Sequence, residues 1–479
     1  MKSEKLLVGI DLGTSSVKVG AFSLSGKARF LSSEPFRKDN LEPEAWWIAL
    51  CQGLRAMALA VGQASIISIC VGGQGPTLVS IDQNGHALGS AISWSDHWAE
   101  CYADELAIRM AKPRSSVGMF LLRAYWLYKK DPCRFGGTYK FMQAWDFLTY
   151  KLTGELSGSE LPWSHPWLQA DLDLIGFPQE KFTNIQDWGT MVGKVSKIAA
   201  EATGLPAGIP VIGGMGDATL SILGSPGLEV GWVHNEGGSS GGISVLSNLS
   251  VEGEGILSAP FVLPGWWMVG GPTSAGGRTV QWFLHELLGS GEDYTALIQA
   301  ALSKSKHPSH ITFLPYLDGE RTPVWDRSAR GAFTGLSLVD GREELINAVI
   351  EGITLGLKDI LERINFAVGD LIAASVYGAQ AYTPAWNQLK ADVFGMPIYV
   401  PSVKEATCLG AAAVAGWGAG EWPDIATASR SLSTVESIYF PKDRNQAWSE
   451  KLTGFRELYQ RMRQASSSEA LEQGEAVIE

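Results

Sequence analysis

The opening hairpin constrains this chain most. Apolar residues Leu6, Leu7, Val8 and Ile10 run straight into Asp11-Leu12-Gly13-Thr14-Ser15-Ser16, and a second strand-like run, Val17 to Leu24, follows after almost no loop. A buried strand that ends in a carboxylate and turns on Gly-Thr-Ser leaves backbone N–H groups and hydroxyls facing one side, which suits an anion such as a nucleotide phosphate. Magnesium on those phosphates would give the carboxylate a partner, since it takes one or two carboxylates together with substrate phosphate oxygens. A tight β-turn in a stable core accounts equally well for one such motif.

A second copy of the same logic shifts the balance. Pro210-Val211-Ile212-Gly213-Gly214-Met215-Gly216-Asp217-Ala218-Thr219 is again a short apolar strand that opens into glycines and ends in a carboxylate. Two strand-end aspartates, each beside glycines that let a ligand approach the backbone, are hard to explain as packing. The pairing points to one aspartate for a metal–phosphate side and one for proton abstraction.

Composition narrows the partners. At 479 residues the chain is too long for one core and fits two or three domains. With 38 Lys plus Arg against 50 Asp plus Glu, the formal charge is −12, and no basic run of the kind that grips nucleic acid is present. Nucleic acid and anionic membrane are therefore not expected as partners. The five cysteines are odd in number and widely spaced, with no Cys-x-x-Cys pair, which speaks against a disulfide framework and a zinc knuckle. No targeting segment or spanning run is evident, so a cytoplasmic location is expected by elimination.

Along the chain, strands come early and helices intersperse, an α/β pattern. Helical spacing marks Glu44 to Ala60, Phe120 to Tyr128 and Phe141 to Leu152, the last ending at Thr153-Gly154. Ser157 to Leu172 reads as irregular. Around Gly227 to Gly231 the character changes, and Trp232 to Leu246 repeats the opening hairpin in outline. The domain boundary is placed there, giving 1–228 and 229–445. Arg342 to Arg363 is the clearest helix, with an apolar stripe at i, i+3, i+4. Residues 464–479 are expected to form a flexible tail.

At this point the chain resembles the FGGY carbohydrate kinases over roughly residues 6 to 445. Gly331-Ala332-Phe333-Thr334-Gly335-Leu336, seven further residues, then Glu344-Leu345-Ile346-Asn347-Ala348-Val349-Ile350-Glu351 is similar to that family's second signature at every defined position. Gly319-Glu320-Arg321-Thr322-Pro323 resembles a segment just upstream of it. Leu122 to Leu127 is similar to the first signature, with Arg123 where a lysine is usual. Tyr150 to Gly154 and Leu205 to Pro210 add weaker agreement.

The resemblance implies two actin-like, ribonuclease-H-like α/β domains flanking a deep cleft, the first binding sugar and the second nucleotide. It implies Asp217 as the base that accepts the sugar hydroxyl proton and Asp11 as the catalytic carboxylate that holds Mg2+. By the same resemblance ATP is held by Gly13, Thr14 and Ser15, by Gly237, Gly238 and Ser239, by Gly276 and Gly277, and by Gly378 and Ala379. Sugar falls to Gln74, Gly75, Pro76, Asp96 and Asp217. The partners implied are a small sugar and ATP, with room for a homodimer.

Some loops depart from the family pattern. Gly73-Gln74-Gly75-Pro76-Thr77 stands where xylulose kinases usually show Gly-Gln-Met-His-Gly, and the Arg-Glu pair of glycerol kinases is missing too. His97-Trp98 follows Trp94-Ser95-Asp96 where an arginine is common, and Trp98 either stacks on sugar or packs. Asn235-Glu236-Gly237-Gly238-Ser239-Ser240 replaces Ser-x-Gly-Thr-Ser-Gly, and Gly378-Ala379-Gln380-Ala381 replaces Gly-Gly-Gly-Ala. The leading expectation is an ATP- and magnesium-dependent kinase of a small ketose or polyol, foremost a pentulose. The altered nucleotide loops keep open a non-catalytic FGGY-like protein that binds sugar or nucleotide and regulates. A chaperone-like or filament-forming actin relative ranks last, since it would lack the FGGY signatures.

Overall fold

A computed structural model describes residues 4–36, 41–62, 66–160, 167–238, 240–251, 253, 255–304, 308–442 and 446–475. They divide into two compact units. Unit 1 comprises Met1–Ser225 with Glu405–Thr434, and unit 2 comprises Pro226–Lys404 with Val435–Glu479.

Unit 1 is built on a six-stranded sheet in the order Ala28–Pro35, Ser16–Ser23, Leu6–Leu12, Ile66–Gly73, Pro210–Ile212, Met191–Lys194. The opening hairpin forms as its pattern requires: Leu6–Leu12 pairs antiparallel with Ser16–Ser23, and Gly13 N–H donates to Ser16 O at 3.0 Å. Leu6–Leu12, Ile66–Gly73 and Pro210–Ile212 run parallel side by side. Every residue of Leu6–Leu12 is buried, as expected for a strand covered on both faces. Helix Pro43–Val61 contributes Trp46, Leu50, Leu54 and Met57 to the apolar core around this hairpin. Helix Ala406–Gly418 packs against the same strand so closely that a Cβ on Gly9 would lie 1.8 Å from Cys408 O.

That helix belongs to the segment Glu405–Thr434, which the sequence places in a 229–445 domain and which packs instead in unit 1. The cause is its run of small residues, which lets its backbone approach the Leu6–Leu12 strand.

Unit 2 carries a seven-stranded sheet in the order Leu257–Pro260, Trp267–Thr273, Gly241–Ser247, Trp232–Gly237, Ala373–Gly378, Ile398–Pro401, Val435–Tyr439. Trp232–Gly237 and Gly241–Ser247 form the second hairpin. Its core is organised by helix Arg342–Val368, whose Ile346, Val349, Ile350, Ile353, Leu357, Ile360 and Ile364 are buried.

Two local expectations change. The stretch Phe141 to Leu152 is not one helix: Lys140–Gln143 is a strand paired with Leu78–Ile81, and the helix begins at Ala144. An apolar run of this length suits either state, and pairing decides it. In Ser157 to Leu172, a strand Ser157–Glu160 precedes residues 161–166, which lie outside the described ones, and a helix starts at Gln169. Within the tail 464–479, the backbone is helical to Glu475, consistent with its Ala, Glu and Gln content, while 476–479 lie outside the described residues.

Candidate active site

In unit 1 the candidate residues gather at the carboxyl ends of the three parallel strands, where open α/β sheets bind ligands. Asp11 and Gly13 close the first strand, Gly73 and Gln74 the second, and Gly213–Gly216 leads from the third to Asp217. The register holds these ends together, with Leu12 beside Gly73 and Gly73 bridged to Gly216.

Asp11 is 8 % exposed. Burial raises its carboxyl to about 6, against the pull of Lys18 and with a further push from Glu405. Burial by itself would lower the Lys18 ammonium, but Glu405 and Asp11 outweigh it and hold it raised. Lys18 Nζ lies 2.5 Å from Glu405 Oε2, the residue that precedes helix Ala406–Gly418. Neither Lys18 nor Glu405 stands out in the sequence; the register of the hairpin, which sets Lys18 opposite Asp11, is the one pointer to Lys18. Among the described residues no three His, Cys, Asp or Glu side chains converge as metal ligands. A magnesium ion that takes most of its ligands from ATP and water needs no such cluster, and the hard carboxylate oxygens of Asp11 fit it. Thr14 and Ser15 sit half-buried in the turn beside it.

Asp217 begins helix Asp217–Leu223 and is half-buried, its Oδ1 accepting from Ala218 N–H at 2.8 Å. Gln74, expected at the sugar, is 1 % exposed. Its Nε2 donates to Gly13 O and its Oε1 accepts from the Trp94 indole, both at 3.2 Å, so it acts here as a strut between the hairpin turn and the Trp94 loop. Gly75 and Pro76 are half-buried, with Gly75 against the Trp145 ring. Asp96 is half-buried and accepts from Ser93 N–H at 2.7 Å.

Arg123 braces this loop from within. It is 1 % exposed, and its Nε, Nη2 and Nη1 donate to Ser93 O, Trp94 O and Met119 O, each at 2.8 Å. Burial lowers its guanidinium to about 10, with Asp96 and Glu100 acting the other way. Arginine's rigid fork serves three carbonyls at once, which a lysine's point charge does not match in geometry. Trp98 packs on Trp126, ring centroids 3.8 Å apart, which favours packing of the two roles open to it.

Unit 2 brings Gly237, Gly238, Gly277 and Gly378 together, whereas Gly13, Thr14 and Ser15, also expected at ATP, lie in unit 1. Trp232–Gly237 and Ala373–Gly378 run parallel with Gly237 beside Gly378, and Gly277 N–H donates to Gly238 O at 3.0 Å. Gly378 has φ 76, a conformation that favours glycine. Ala379 is exposed next to it. Ser239 lies outside the described residues. Gly276 precedes a short helix, and the segment before it is fixed by Glu320, which is 4 % exposed and accepts from Thr273 Oγ1 at 2.8 Å and Ser274 N–H at 2.6 Å. Arg321 Nη2 donates to Thr273 O at 2.7 Å. Burial raises the Glu320 carboxyl, and these hydrogen bonds draw it back.

Gln380 turns inward. It is 3 % exposed, and its Oε1 accepts from Lys390 Nζ at 2.7 Å, as does Asn235 Oδ1. Lys390 is fully buried, and burial lowers its ammonium to about 7. From the sequence, Lys390 is only one polar position on a helix.

The FGGY family of carbohydrate kinases matches the chain twice, by its N-terminal domain over residues 6–224 and its C-terminal domain over residues 235–419. A xylulose kinase of Staphylococcus epidermidis is 26% identical over 476 residues, covering 92% of this chain and 94% of that protein. Two crystal structures share the fold. Gluconate kinase from Lactobacillus acidophilus superposes with a TM-score of 0.80 at 22% identity, covering 97% of this chain and 98% of that one. Xylulose kinase from Rhodospirillum rubrum gives 0.78 at 23% identity, covering 96% and 99%.

Proposed function

Because the chain belongs to the FGGY family of carbohydrate kinases, enzymes whose phosphate donor is ATP, we propose that its acceptor is a small ketose, a ketopentose, with Asp217 as general base. The observation that carries this reading is the register of unit 1, in which the strand bearing Asp11 lies beside Gly73 and Gly73 beside Gly216, one residue before Asp217. The S. epidermidis xylulose kinase supports the ketopentose assignment, and the gluconate kinase fold marks sugar acids as the competing class.

In the proposed reaction a sugar hydroxyl oxygen attacks the γ-phosphorus, the bond from that phosphorus to the ADP oxygen breaks, and the hydroxyl proton passes to Asp217. Phosphoryl transfer asks a protein for positioning and charge stabilisation more than for covalent chemistry. Gln74 and Arg123 supply the positioning by bracing the Trp94 loop, so that Asp96 is presented on a fixed backbone. Asp11 would hold magnesium, which when bound neutralises charge on the transferring phosphate. Gly237, Gly238, Gly276, Gly277, Gly378 and Ala379 would receive the nucleotide through backbone groups.

The alternative of a non-catalytic regulator yields to family membership and to the retention of both aspartates. A coupled assay of ADP release against ketopentoses, ketohexoses, polyols, gluconate and glycerol tests the substrate class. Ketopentoses should give the highest kcat/KM; a clear preference for gluconate or glycerol overturns the assignment.

A further inference from the structure

Two residues that break the family's loop pattern meet on one side chain. Asn235 stands where a serine is usual and Gln380 where a glycine is usual, and Lys390 Nζ donates to the amide oxygens of both at 2.7 Å. Asn235 and Lys390 are fully buried. The amine also lies 5.1 Å from the centre of the Trp386 ring. A buried ammonium with neutral partners is costly, and methionine or leucine would fill such a helix position without that cost. An amine kept there, bonded to two amide oxygens, needs a role beyond packing.

The partners indicate the role. Asn235 lies two residues before Gly237, Gln380 two residues after Gly378, and Gly237 and Gly378 are neighbours in the parallel register. One amine therefore ties the two strands together where their loops begin. Asn235 Nδ2 extends the tie to the next strand by donating to Gly242 O at 3.0 Å. The Gln380 side chain covers Gly237, on which a Cβ would fall 2.6 Å from Gln380 Cβ.

We propose that Lys390 is a positioning residue for the phosphate donor: through Asn235 and Gln380 it holds the loops that start at Gly237 and Gly378 in the arrangement that receives the polyphosphate of ATP. This rests on the reading that those loops take ATP. The departures from the glycine-rich pattern are then a matched set, in which the lysine and two amides fix a backbone that glycines leave free.

Steady-state kinetics separate this role from general support of the fold. Lys390→Met should raise KM for ATP by about tenfold, the equivalent of about one hydrogen bond, with KM for sugar and kcat at saturating ATP within about twofold of wild type. Gln380→Gly, which restores the usual glycine but leaves Lys390 bonded to Asn235, should also raise KM for ATP, by roughly threefold. It decides the matter alone if Lys390→Met does not fold. An unchanged or lowered KM for ATP in Gln380→Gly overturns the proposal, and so does an equal rise in both KM values in Lys390→Met. Calorimetric titration with ADP distinguishes the parent reading: wild-type protein that binds no nucleotide sinks both, whereas wild-type and variant proteins that bind it equally sink this inference alone.

Discussion

Asp11 faces Lys18 across the first hairpin, and Lys18 is held by Glu405 at 2.5 Å. Two carboxylates thus share one ammonium at the strand end proposed to meet phosphate. Burial outweighs the lysine and leaves Asp11 ionising at about 6.

Activity should therefore show an acid limb near pH 6, because only the ionised Asp11 carboxylate takes a metal. Proton and magnesium compete for the same oxygens, so raising magnesium should move that limb to lower pH. Asp11→Asn should abolish the shift. Profiles of kcat/KM at two magnesium concentrations check this, and a limb that stays put with magnesium removes Asp11 from the metal. For stability the sign is opposite: the folded carboxyl is raised above its unfolded value of 3.8, so between that pH and about 6 the folded chain holds the extra proton and this group's contribution falls as pH rises.

Asp217→Asn should lower kcat by about 10²- to 10⁴-fold, or roughly 3 to 5.5 kcal/mol of barrier, with sugar affinity within about an order of magnitude. The amide keeps the shape and loses the base. Near wild-type turnover in the purified variant would show that another group accepts the proton.

Gly238→Thr should tighten ATP by about tenfold, since it restores a hydroxyl that can donate to a charged phosphate, a bond worth about 1.5 to 3 kcal/mol. The backbone of Gly238 is not left-handed, and a Cβ there meets Ser240 O at 3.2 Å, so the loop has to give by only a few tenths of an ångström. Titration calorimetry of both proteins measures it. Equal affinities would mean that this loop does not face phosphate.

Lys390 should make thermal stability depend on pH in the alkaline range. Its folded ammonium ionises at about 7 against 10.5 in the unfolded chain, so across that window the unfolded chain binds more protons and stability from this group rises with pH. Lys390→Met should flatten the rise and gain most at or below pH 7. Parallel curves of Tm against pH for the two proteins would show that Lys390 stays charged in the fold.

Much of this was legible where sequence is local. The Asp11 hairpin, the glycines before Asp217 and the stripe of Ile346, Val349, Ile350 and Ile353 each announce themselves by spacing. Glu405 and Lys390 do not, and Arg123 stands out only as a departure from a signature, because what makes them matter is a partner distant in the chain: Ser93 O and Trp94 O for Arg123, Lys18 for Glu405, Asn235 for Lys390. Gln380 shows the same limit from the other side. In the sequence it is only a glutamine where a glycine is usual, whereas in the fold its amide is drawn inward by a lysine that no periodicity reveals.

The close approach of Cys408 O to Gly9 also bears on synthesis. The helix that covers the first strand follows the larger segment of unit 2 in the chain, so a ribosome has made residues 226–404 before unit 1 can close over Leu6–Leu12. A strand made before any of unit 2 is thus among the last to be sealed, and a fragment ending at Ser225 would present the Gly9 face of that strand to water, open to association with other chains.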